Sequence, residues 1–125
     1  MRLKAITDKE SKQAQIQKYQ FMELHRLDQE SLKSILKTVD GRWFLMRLLD
    51  ATGVMANTFT GNSTTFFNEG KRQVGLEILT RITELGIEAV KLKQQAELEY
   101  IEHQQKAREL AVEYTENQER SILDE

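Results

Sequence analysis

The chain has 125 residues, no proline, no cysteine, 30% charged side chains and a formal net charge of −2. That length suits one domain with a modest core. Without cysteine there is no disulfide, thiol nucleophile or thiolate-held zinc, and a proline-free composition rich in Glu, Gln, Lys, Leu and Ala reads as all-α. No stretch approaches the roughly eighteen apolar residues that span a bilayer. The opening MRLKAITDKESKQAQ has neither an apolar run nor a small-residue cleavage pattern, so a soluble, non-secreted setting with no membrane partner is expected. The charge is uneven along the chain. Residues 1–37 carry eight Lys/Arg against five Asp/Glu, residues 38–86 five of each, and residues 87–125 five against ten. A basic front and an acidic tail can pair within one chain, pair between neighbours, or solvate two separate helices.

Three zones follow within one domain of residues 1–125. The first, 1–37, is an N-terminal helical arm. Thr7 or Asp8 is placed to cap a helix through KESKQAQIQKYQFMELHRLDQ. Its apolar stripe is thin, through Ile16, Tyr19, Gln20, Met22 or Glu23, and Leu27. The spacing of Leu32, Ile35, Leu36 and Val39 predicts a short separate helix capped by Asp28.

The second zone, 38–86, is the apolar part of a compact helical hub spanning about residues 28–86. Thr38 or Asp40 caps a helix through GRWFLMRLLDA, where Trp43, Phe44, Leu45, Met46, Leu48 and Leu49 leave only Arg42, Arg47 and Asp50 polar. Such a helix is expected to be covered on several sides. Gly53 suits a left-handed C-terminal stop. VMANTFTGNS then reads as a loop anchored by Val54, Met55 and Phe59. Gly61, Asn62 and Ser63 form the start of the next helix, TTFFNEGKRQVGLEILTRITELG, with Asn62 or Ser63 as its cap. On it Phe67, Gly70, Val74, Ile78, Ile82 and Leu85 form one three-and-four stripe. The expected hub is Trp43, Phe44, Phe59, Phe66, Phe67, Val74, Ile78 and Ile82, with Gly70 as a tight helix crossing.

The segment FTGNSTTFFNEGKRQVG invites chemical readings that its spacing does not support. A phosphate-binding loop needs G-x-x-x-x-G-K-[ST] after a strand. Here Gly61 precedes Gly70 and Lys71 by nine residues or more, and Arg72 replaces the hydroxyl. Asn62-Ser63-Thr64 matches a glycosylation acceptor, which has no meaning without secretion. Lys71 and Arg72 with Arg42, Arg47 and Arg81 sketch a basic surface, but equal numbers of acids surround them and no aromatics interleave, so nucleic-acid binding is weakly supported.

The third zone, 87–125, is a long polar C-terminal helix with a poor heptad through Val90, Glu97, Leu98, Ile101, Gln105 and Val112. It is too long and polar for one small core, so Leu98, Ile101 and Val112 are candidate partner contacts. His25 and His103 lack companions at metal-ligand spacing, and no Ser-His-Asp set or paired carboxylates appear. No catalytic, metal or cofactor site is expected.

DGRWFLMRLLDATGV and FTGNSTTFFNEGKRQVGLEIL resemble a small family of tailed-bacteriophage proteins named after a gene product of a Bordetella phage and encoded among head and portal genes. The resemblance lies in Gly41 to Leu49, Gly53-Val54, Phe59 to Ser63, Phe66, and Glu69 to Leu76, with Met55 where an aromatic is usual. It implies a non-enzymatic, podovirus-like virion structural or assembly protein, located in the particle at the head, portal or internal core. Its implied partners are other phage structural proteins and further copies of itself. An assembly or packaging factor absent from the mature particle, and a nucleic-acid-binding regulator, are the alternatives.

Overall fold

A computed structural model describes residues 2–54 and 63–124. Among these residues there are four helices and no strand: α1 (Arg2–Leu36), α2 (Val39–Thr52), α3 (Ser63–Glu84) and α4 (Ile87–Leu123). The protein is all-α.

α1 is one helix of 35 residues, without the break expected at Asp28. Nothing in residues 24–36 opposes helix. Ser31 returns its hydroxyl to the Leu27 carbonyl (2.7 Å) inside the helix, and Asp28 faces Arg81 (3.7 Å) instead of capping. The chain then reverses over two residues. Thr38 caps α2 by accepting from the Gly41 N–H (2.9 Å), which satisfies one of the open donors of the first turn. Gly53 ends α2 in the left-handed region, φ 67°, and Gly86 at φ 106° separates α3 from α4. These are conformations glycine adopts without a Cβ penalty.

α2 is the common partner of the other three helices, and α4 also packs on α1 and α3. The core is small: Leu36, Leu45, Leu49, Val54, Ile82 and Ala89 are buried together, with Leu32, Met46, Leu76, Ile78, Leu79, Leu85 and Leu92 packed around them. α2 contributes one buried line, Arg42, Leu45, Leu49 and Thr52, at helical spacing.

This burial corrects several expectations about the hub. Phe44, Phe66, Phe67 and Val74 are exposed, Phe66 at 81%. The face that α3 turns inward is Gly75, Ile78, Leu79 and Ile82, not the line Phe67–Gly70–Val74. The two lines converge at Ile78 and Ile82 but diverge toward the start of the helix, so the aromatic pair stands clear of the core. Lys71 lies over the Phe67 ring, 5.1 Å from its centre. Ile82 is fully buried and Ile78 packs on the core. Phe59, Gly61 and Asn62 lie outside the described residues, and Ser63 is the first residue of α3.

Gly70 is not the tight crossing either: a Cβ there would meet nothing within 4 Å. The close approach is at Gly75, where a Cβ would collide with the Thr52 hydroxyl and lie 2.8 Å from Val54 Cβ. Thus α3 seats on the end of α2 through a missing side chain. Gly75→Leu should lower stability by about 1–3 kcal/mol by overpacking. Gly70→Ala should raise it by up to about 1 kcal/mol through helix propensity alone. Thermal unfolding of the two variants checks the assignment, and equal shifts in the same direction would refute it.

Candidate interaction surface

The polar centre of the body is built on Arg42. It stands in the buried line of α2, where a cation is stable only if its donors are paired. Its Nε and Nη2 donate to the two oxygens of Glu99 on α4, both at 2.9 Å, and Nη1 donates to the Leu36 carbonyl at 2.9 Å. The Arg42 side chain is 6% exposed and that of Glu99 19%. One planar fork therefore caps the last turn of α1 and grips α4 in a two-point carboxylate pair. Gln95 adds a hydrogen bond to Glu99 Oε1 at 2.9 Å. Among the described residues, no buried polar side-chain atom lacks a partner.

An aromatic cluster lies beside this pair. The Trp43 ring is 5.2 Å from Tyr100, tilted by 40°, and 5.4 Å from His103, edge-on at 80°. Tyr100 donates its hydroxyl to Asp50 at 2.9 Å. Trp43, expected in the hub, is instead 37% exposed and packs on α4 rather than in the core. His103 lies on an exposed stretch, as expected, and meets Trp43 there edge-on. Arg42 leaves the basic surface sketched from the sequence, because its charge is spent inside the protein. The sequence signal for it was a lone cation on the buried side of an apolar helix; its partner, 57 residues away, carries no local signal.

The same contacts fix the direction of the long helices. Leu36 of α1 and Glu99 of α4 meet at Arg42, whereas Asp28 of α1 meets Arg81 close to where α4 begins. α1 and α4 therefore run the same way. The start of α1 projects past one end of the body and the last part of α4 past the other. No residue from Thr7 to Asp28 is buried, and every residue from Ile101 to Asp124 is exposed. At about 1.5 Å per residue, the free part of α4 alone reaches roughly 35 Å.

Leu98, Ile101 and Val112 are all exposed, on the side of α4 away from Ala89 and Ala96. Two clefts indent the body. One of about 350 Å³ lies between α1 and the end of α3, lined by Phe21, Leu24, Asp28, Arg81 and Leu85. The other, of about 520 Å³, is lined by Met46, Leu49, Leu79, Lys93, Glu97 and Tyr100. No three His, Cys, Asp or Glu side chains gather as metal ligands among the described residues. Among the described residues no helix is long and apolar enough to cross a membrane. The site with the most reach is thus the pair of uncovered helical arms.

Residues 32–95 match the family described as Bbp19-like phage protein, and the chain belongs to that family. The matched segment coincides with the packed body and leaves most of both arms outside it. No curated protein and no solved structure matches the chain.

The Glu99 carboxyl is held below the usual carboxylate range, first by its hydrogen bonds from Arg42, then by Gln95 and by attraction to Arg42 and His103, against the cost of burial. A depressed carboxyl stabilises the fold fully above its unfolded pKa, near ~4.3, and the contribution is lost as pH falls through the lower folded value. Glu99→Gln should therefore flatten the fall of melting temperature below about pH 4.3. Glu99→Ala, which strands a buried guanidinium, should cost about 3 kcal/mol. Glu97→Ala, which breaks a more exposed pair with Lys93 (2.9 Å), should cost less than about 1 kcal/mol. Denaturant melts of the three variants decide the ranking.

Proposed function

We propose that the protein is a non-enzymatic structural or assembly component of the phage virion, acting by helix packing at the head, portal or internal core. The observation that carries this reading is membership in a phage protein family. The shape supports it. A small body held by three-way packing on α2 displays two long helices whose outer faces are uncovered, an arrangement suited to lying along neighbouring proteins rather than to enclosing a substrate. The other phage structural proteins, and further copies of this chain, are the partners that such arms fit. A charge-rich arm with few apolar residues also suits a factor that helps build the particle and then leaves it, which is the second reading.

Quantitative mass spectrometry of purified particles, intact and after genome ejection, separates these. A fixed structural component is expected in both samples at constant copy number. Presence only before ejection would make it an internal, ejected component. Absence from both would overturn the virion reading in favour of the departing factor.

A further inference from the structure

The two arms are oppositely charged and cannot reach each other within one molecule. Residues 2–26 carry six Lys/Arg against three Asp/Glu, and residues 101–124 three against six. Because α1 and α4 run the same way and are tied together between Asp28–Arg81 and Leu36–Arg42–Glu99, their free parts leave opposite ends of the body. Of the three uses open to a basic front and an acidic tail, the geometry removes pairing within the chain.

Each arm also carries an apolar strip amid its charges. On α1, Lys9, Lys12, Ile16 and Tyr19 follow three-and-four spacing and lie on the side away from the buried Leu36. On α4, Ile101, Glu109, Val112 and Glu116 share the side away from Ala89 and Ala96. Ile16 is 49% exposed and Ile101 53%. Isolated helices of this length and polarity are marginal in water, since ion pairs along one helix each contribute only a few tenths of a kcal/mol. A partner helix that covers the strip and answers the charge is what both arms lack.

We infer that a second copy of this chain is that partner: the basic α1 arm of one molecule packs along the acidic α4 arm of another. In an antiparallel register Tyr19 and Ile16 lie along Ile101, and Lys12 and Lys9 lie along the stretch from Glu109 to Glu116. The inference deepens the helix-packing reading above and rests on it only for its biological setting. It is tested on purified protein, so it can stand or fall whatever the particles contain.

The 125-residue chain is examined by sedimentation velocity at low salt and at about 1 M salt, where screening shortens the reach of charge to about 3 Å. Wild type should sediment at low salt as species of at least twice the 14.6 kDa chain mass and dissociate at high salt. Two charge-reversed variants follow, one with Lys9→Glu and Lys12→Glu, the other with Glu109→Lys and Glu116→Lys. Each alone should be monomeric at low salt while keeping wild-type helicity by circular dichroism, because each presents two arms of like charge. Mixed together they should associate again, since every arm then meets its opposite. A wild type that stays monomeric at low salt, variants that associate like wild type, or a mixture that stays monomeric would each overturn the inference. The salt response of wild type remains decisive even where a variant loses helicity.

Discussion

The Arg42 guanidinium is the constraint on which the rest of the structure depends. It is a full charge placed in the buried line of a 14-residue helix, and it is stable there only because three of its donors end on the Leu36 carbonyl and on both oxygens of Glu99. Those acceptors belong to α1 and α4. One side chain therefore sets where α1 stops, how α2 departs from it and which turn of α4 lies alongside. The apolar core is too small to fix so much alone: among the described residues only Leu36 and Ile82 are large side chains fully removed from solvent. Directional bonds supply the specificity that sparse packing leaves open.

The consequence for function is geometric. With α1 and α4 tied side by side in the same direction, their excess length leaves by opposite ends. The body joins the two arms and holds them apart. Membership in a phage protein family supplies the setting, and the matched residues 32–95 are nearly those that fold against one another.

What was legible in the sequence is what short-range chemistry decides. The Thr38 cap, the left-handed stop at Gly53 and the punctuation at Gly86 each depend on a few neighbouring residues, so their signals are local. Element type was legible too, because the chain combines no proline with many strong helix formers, Glu, Gln, Lys, Leu and Ala. The choice of face on α3 was not. Phe67, Gly70 and Val74 form as good a stripe as the one turned inward, and hydrophobicity favours the aromatics. Thr52 and Val54 decide otherwise by pressing on Gly75, a contact more than twenty residues away in sequence. Phe66 and Phe67 are therefore exposed although they are among the most apolar residues present. The same limit applies to Arg42: a cation on an apolar helix announces that it needs a partner, but not that the partner is Glu99. The capping signal at Asp28 suggests a break in α1, yet that carboxylate serves Arg81 on another helix and the backbone runs through.

The most direct measurement is amide hydrogen exchange on dilute wild-type protein in high salt, residue by residue along α4. Slow exchange is expected from Ala89 through Glu99, where the helix packs on the body, and fast exchange from residues 104 to 123, every one of which is exposed. Equal protection along the whole of α4 under those conditions would mean that the arm folds back on its own chain, and the account of a stitched body with two free arms would be wrong.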